Sequence, residues 1–174
     1  SLAFRVAEGE EKAENLWQVR RQGSSAMKKL ASTKLNEDVV VPLDQQVDLV
    51  HFVESLRHQF NLKIGVFGHC GDGNLHVNFM YNEDDEEETT RSVEALTSLM
   101  KKVIELGGAI SGEHGVGLAK TPFVRDQFNQ AEWEVMKSIK QSLDPKGILN
   151  PGKIFQIFKP WEKEKLKVDL HWEK

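Results

Sequence analysis

Two short runs that alternate apolar with other residues, 62–69 and 75–81, are separated by little more than the glycine-rich segment Cys70-Gly71-Asp72-Gly73-Asn74. Strand-like periodicity on both sides of such a segment predicts a hairpin, and the rest of the chain has to pack around it. On the second run Leu75, Val77, Phe79 and Tyr81 fall on one face, which leaves His76 and Asn78 on the other. A strand of this kind buries an apolar row while offering an imidazole and a carboxamide to something above it. His69 and His76 stand at the two shoulders of the turn. A turn that brings His69 back over His76 makes two imidazoles converge.

Composition enters mainly by exclusion. The chain has 174 residues and is 39% hydrophobic, enough for one globular domain with its own core. A net charge of -4 supplies no basic footprint, so nucleic acid is not expected as a partner. The single cysteine, Cys70, rules out an internal disulfide and fits a reducing compartment. No apolar run approaches the length of a membrane span and no charged-then-apolar leader is present. The sequence starts at Ser1 without methionine, which leaves room for a leader upstream.

Along the chain, 8–30 reads as helix, with Ala13, Leu16, Trp17 and Arg20 at helical spacing and Gly23 and Ser24 as a place where it loosens or ends. Arg20 and Ser24 share a face with Trp17 if the helix continues. From spacing alone Arg20, Arg21, Lys28 and Lys29 read first as ordinary solvated helix charges. The β-branched run 37–42 predicts a strand closed by Pro42. An amphipathic helix over 43–60 follows, its core stripe running through Val47, Val50 and Val53 or through Leu49, Leu56 and Phe60. His51 and His58 on it read as solvent-edge residues. The acidic run 83–88 lacks the glycine turns of a calcium loop and suits the start of a helix extending to about 106, with Val93, Leu96, Met100, Val103 and Ile104 buried and Gly107-Gly108 stopping it. A core-facing helix over about 129–143 carries Trp133, Met136, Ile139 or Lys140, and Leu143, and a double turn 144–153 follows. Beyond it the chain is charged, with Leu166, Val168, Leu170 and Trp172 alternating as an extra strand or a packing tail.

The second stretch with chemical content is Ser111-Gly112-Glu113-His114-Gly115-Val116-Gly117, expected as a short strand from Ala109 running into a glycine loop. Its glycines let a ligand come close to the backbone around a carboxylate and an imidazole. Glu113 can complete a two-histidine, one-carboxylate set with His69 and His76, leaving His114 free for proton transfer. From the residues alone a metal site and a structural turn with hydrogen-bonded histidines both stay open, because no two histidines lie one helical turn apart. Cys70, next to His69, is expected to point away from any such site.

Three segments in this order, 68–76, 111–117 and Asn150-Pro151-Gly152-Lys153, resemble motifs of the FAD-linked oxidase C-terminal domain. This is the cap or substrate domain of flavoproteins of the vanillyl-alcohol oxidase type, a family that includes D-lactate dehydrogenase, the glycolate oxidase flavin subunit and D-2-hydroxyglutarate dehydrogenase. Leu16-Trp17 with Arg20, and the run 37–42, match as well, and the resemblance covers about 10–155. It implies a domain over 1–155 with a charged tail at 156–174, and an FAD-binding domain upstream that holds most of the flavin.

The chemistry implied by the resemblance is oxidation of a D-2-hydroxy acid to the 2-oxo acid by hydride transfer to flavin. Residues matching His69, His76 and Glu113 would hold a divalent metal, zinc above all, and the residue matching His114 would be the general base. Arg20 and Ser24 would bind the substrate carboxylate, Asn78 would hydrogen-bond near the reacting carbon, and Asn150 would approach the flavin. Lys34 is the nearest candidate for a lysine that some relatives use, but it is out of register. The implied partners are a small 2-hydroxy acid and an electron-acceptor protein or quinone. The implied location is the cytoplasm, the mitochondrial matrix or the periphery of the inner membrane. Two other readings remain: a stand-alone metal-binding or regulatory module, and a zinc hydrolase in which His69, His76 and Glu113 activate water. The element order predicts an α+β fold, an antiparallel sheet with helices on one face in a partial ferredoxin-like cap, followed by C-terminal helices. If the first half of that cap is absent, the sheet has an exposed edge, and a homodimer or a domain swap is expected.

Overall fold

The computed structural model of the chain describes residues 6–27, 29–159 and 161, and the side chains of Arg20, Ser24 and Ser25 lie outside the described part. The alternating segment 166–172 also lies outside it. The elements in order are α1 (Glu10–Met27), β1 (Thr33–Val40), a 3-10 turn (Leu43–Gln45), α2 (Gln46–Phe60), β2 (Lys63–His69), β3 (Asn74–Tyr81), α3 (Glu86–Glu105), α4 (Thr121–Gln127) and α5 (Gln130–Leu143). The fold is α+β, as the element order predicts.

The sheet is antiparallel in the order β1-β3-β2, so the strand carrying His76 is the central one. Its two faces are those of the period-two pattern, but all eight of its residues are buried, the polar ones included. A central strand has no free edge, and here both faces are covered. One face, with Val39, Ile64, Leu75, Val77 and Phe79, packs against Leu49, Val53 and Leu56 of α2 and Leu96, Leu99, Met100 and Val103 of α3. Each of these large apolar side chains contributes about 1.5–3 kcal/mol through burial. Val47 and Val50 stay exposed, so the α2 stripe that faces the core runs through Leu49 and Leu56.

The opposite face presents polar rows across the three strands. Asp38, His76 and Phe67 are in register, as are Asn36, Asn78 and Gly65. The end of α1 comes over this face at Gly65, where Met27 Sδ occupies the space a Cβ would need.

Four local features differ from the sequence reading. β1 begins at Thr33, four residues early, because the polar segment Thr33–Asn36 gains ladder partners from Phe79, Met80 and Tyr81. The strand expected at Ala109 is reduced to one bridge with Val40, since the chain turns directly into a loop held by side-chain contacts. Gly23 lies inside α1 and does not end it. Of the apolar face of α5 only Trp133 is buried, while Ile139 and Leu143 are exposed, so the helix docks by its first turn. The acidic run does start a helix: Asp85 caps α3 by accepting from Glu88 N at 2.9 Å, and three glutamates fill the first turn.

Candidate metal centre

The hairpin turn brings His69 and His76 together. His69 ends β2 and pairs with Asn74, so it lies diagonal to His76, with ring centroids 5.8 Å apart and nearly perpendicular. Gly73 makes the turn possible, with φ of 76° in the left-handed region and no room for a Cβ against Val41 O.

Residues 111–114 are brought to the hairpin by Asp38, which is fully buried on β1. Its Oδ2 accepts from the backbone N–H groups of Gly112 at 2.9 Å, Glu113 at 2.8 Å and His114 at 2.9 Å, and from Ser111 Oγ at 3.4 Å. Its Oδ1 accepts from Asn74 Nδ2 at 2.5 Å. The loop lies directly on this carboxylate: a Cβ on Gly112 would collide with Asn74 Nδ2 and stand 2.8 Å from Asp38 Oδ1. Lys120 closes the edge of β1 by donating to Asp38 O, with its Nζ 3.9 Å from Asp38 Oδ2 and 4.0 Å from Glu37 Oε2.

Three imidazole nitrogens surround one oxygen as a result. Glu113 Oε1 lies 3.3 Å from His76 Nε2, 3.7 Å from His114 Nε2 and 3.8 Å from His69 Nε2. Ligand atoms of a tetrahedral zinc ion stand about 3.4 Å apart when each is about 2.1 Å from the metal. The separations here are of that size. Among the described residues two overlapping sets meet the spacing of cation ligands, His69 with His76 and Glu113, and Asp38 with His76 and His114. The ring of His114 stacks on that of His76, with centroids 5.0 Å apart and planes within 17°. His69, Glu113 and His114 are about half-exposed, so the cluster opens to solvent, whereas His76 is buried at its base.

Electrostatics suit the same use. Burial, then the neighbouring His114, hold His76 below the ordinary imidazole range against the pull of Asp38 and Glu113, so His76 is neutral and able to ligate at neutral pH. Burial pushes Asp38 up, but hydrogen bonds from His114 N, Asn74 and Glu113 N, with the Lys120 charge, outweigh it and keep the carboxyl far below its usual range. On the core side of β1, burial raises Glu37 to about 7 despite Lys120. Among the described residues, three buried polar atoms of β3 have no hydrogen-bond partner: Asn74 Oδ1, His76 Nδ1 and Asn78 Oδ1. A neutral His76 beside the half-exposed Glu113 carboxylate gives a donor set whose chemistry fits a divalent cation.

The other predicted residues are dispersed. Asn78 shares the His76 face but is fully buried, its Nδ2 donating to His76 O at 3.1 Å. Arg20 and Ser24 lie on α1, with side chains outside the described residues. Asn150 is exposed in a left-handed turn after α5, and no hydrogen bond among those described ties it to the histidines. Cys70 is exposed, and its carbonyl accepts from Gln46 Nε2. Asp38 is the residue the sequence did not flag.

The family of "FAD linked oxidases, C-terminal domain" matches residues 2–154. The chain belongs to that family. Among its relatives, the "Glycolate oxidase subunit GlcD" of Bacillus subtilis (strain 168) is 36% identical over 89% of this chain and 33% of the relative. The "D-lactate dehydrogenase" of Anaerostipes hadrus is 36% identical over 67% of this chain and 25% of the relative. The "D-2-hydroxyglutarate dehydrogenase" of Stutzerimonas stutzeri (strain A1501) is 32% identical over 86% and 33%. This FAD-linked oxidase C-terminal domain thus spans a quarter to a third of the length of these relatives. Among its described residues no helix is long and apolar enough to cross a membrane.

Proposed function

We propose that this domain, residues 1–155 with a tail at 156–174, is the substrate-and-cation part of an FAD-dependent dehydrogenase or oxidase that converts a D-2-hydroxy acid to its 2-oxo acid. The observation that carries the reading is the convergence of three imidazole nitrogens on Glu113 Oε1 at 3.3–3.8 Å in a member of an FAD-linked family. His69, His76 and Glu113 would hold a divalent cation, zinc first, through two imidazole nitrogens and a carboxylate oxygen. The bound cation would supply a Lewis acid that lowers the pKa of the substrate hydroxyl, and FAD, held mainly by an upstream domain, would accept the C2 hydride.

His114 Nε2 takes the hydroxyl proton. Its ring is half-exposed and stacked on His76, so it lies beside the ligand set and can pass the proton to solvent. The two electrons of the C2–H bond leave with the hydride, the O–H electrons form the carbonyl, and the proton ends on His114. Arg20 would grip the substrate carboxylate in a bidentate pair, with Ser24 one helical turn away adding a hydroxyl. Asn78, with Oδ1 unpaired, would act near the reacting carbon, and Asn150 near the flavin. An electron-acceptor protein or a quinone would reoxidise the flavin.

Elemental analysis of the purified chain tests the centre. About one divalent ion per chain is expected, lost in both H69A and E113A. A well-folded wild-type chain that takes up no zinc, manganese or iron when each is supplied would overturn the cation site.

A further inference from the structure

Asp38 touches no solvent and takes no part in the chemistry above, yet both halves of the site rest against it. We propose that Asp38 is a positioning residue that sets the geometry of the cation site, with Oδ2 fixing the backbone of the loop that carries Glu113 and His114 and Oδ1 orienting His76 through Nδ1. The second role rests on the cation-site reading, and the first stands without it.

Glu113 and His114 have side chains about half-exposed, so their own packing holds them weakly. Three consecutive backbone N–H groups aimed at one ionised oxygen hold them instead, through charge-assisted bonds of 2.8–2.9 Å. Gly112 lets the loop settle onto the carboxylate, because a side chain there would meet Asn74 and Asp38. The carboxylate is itself braced by Asn74 Nδ2 and by Lys120, which holds the Asp38 carbonyl.

The other oxygen faces His76. Nε2 of that ring points to Glu113 Oε1 at 3.3 Å, while Nδ1 is buried without a hydrogen-bond partner, 3.9 Å from Asp38 Oδ1. An imidazole that gives its Nε2 lone pair to a cation carries its proton on Nδ1, and a carboxylate facing that N–H fixes both tautomer and ring angle. Asparagine at position 38 keeps the shape but offers one acceptor oxygen, so its NH2 must oppose either the three loop N–H groups or Nδ1–H. One carboxylate serves both sides, and one amide does not.

The test is D38N beside wild type, read by amide hydrogen exchange at Gly112, Glu113 and His114, by the imidazole nitrogen shifts of His76, and by zinc affinity in chelator competition. Wild type is expected to protect the three amides and, with zinc, to show a protonated, hydrogen-bonded Nδ1. In D38N the amides should exchange at least about tenfold faster, zinc affinity should fall about 10–100-fold, and the Nδ1–H signal should disappear, while Val77 and Leu96 amides stay protected. Unchanged amide protection and zinc affinity in D38N would overturn the proposal. So would wild-type amides exchanging as an open loop, a result decisive even if D38N does not fold. Wild type that takes up no zinc, with amides that D38N exposes, would uphold the grip on the loop and overturn the cation site.

Discussion

Replacing Glu37 with glutamine removes a charge from the core side of β1, where the residue is in register with Val77 and only 4% exposed. Among the described residues its Oε2 has no hydrogen-bond partner, and the nearest cation, Lys120 Nζ, stands 4.0 Å away. Burial therefore dominates and raises the carboxyl from 4.5 to about 7, with Lys120 only partly offsetting it. Between those two values the folded chain holds a proton that the unfolded chain has released, so stability falls as pH rises through the window. The full displacement corresponds to about 3 kcal/mol, of which about 2.5 kcal/mol falls between pH 5 and pH 8. Lys120, held below the ordinary lysine range by burial, acts in the opposite sense: the unfolded lysine keeps its proton longer, and stability recovers further into alkali. Urea unfolding of wild type and E37Q at pH 5 and pH 8 compares two chains that differ in this carboxyl and in its coupling to Lys120 and Asp38. E37Q is expected to lose less stability across that interval by about 2 kcal/mol. Equal losses in the two chains would refute the burial argument and mean that the ion pair with Lys120 compensates the charge in full.

Two further substitutions separate the site from the scaffold. In G112A the new methyl meets Asn74 Nδ2 and stands 2.8 Å from Asp38 Oδ1, so the loop must lift; zinc affinity should fall at least about tenfold with a nearly unchanged melting temperature, measured by chelator competition beside thermal unfolding. In N129A the capping box of α5 is lost, because Asn129 Oδ1 accepts from Glu132 N at 3.1 Å and Glu132 returns the bond to Asn129 N at 2.8 Å; stability should drop by about 1 kcal/mol in urea, with zinc binding unaffected.

The hairpin was legible because its signals are local: period two in 62–69 and 75–81, glycines between, and a face assignment for His76 and Asn78 that needs only alternation. The burial of those two residues was not legible. It depends on β1 joining the free side of β3, and Thr33–Asn36 carries too little apolar character to announce a strand. The α4 helix escaped for a related reason, being seven residues long with Pro122 in its first turn, so that it shows no full helical period. The exposed end of α5 reflects tertiary placement, since Ile139 and Leu143 keep the correct spacing yet stay exposed. Asp38 is the sharpest case. In sequence it is one more acid before a β-branched run, and its partners lie more than seventy residues away as backbone N–H groups, which leave no trace in side-chain identity.

That distance has a consequence for how the site comes to exist. His69 and His76 are fixed once β2 and β3 pair, within a single hairpin of short range. Glu113 and His114 join them only after β1 has added to the far side of β3 and its carboxylate has captured the loop. The half of the site with the weaker packing is thus conditional on the most remote contact, through a residue that is the neighbour of His76 on the adjacent strand. A chain with its sheet intact and its loop released would melt almost as the wild type does and yet bind zinc about 10–100-fold more weakly. D38N and G112A should both populate that state, since each breaks the capture without touching Phe79, Leu96 or the other residues that carry the core. If either variant instead loses stability in proportion to its loss of zinc, the loop belongs to the cooperative core, and the site could not be perturbed separately from the fold.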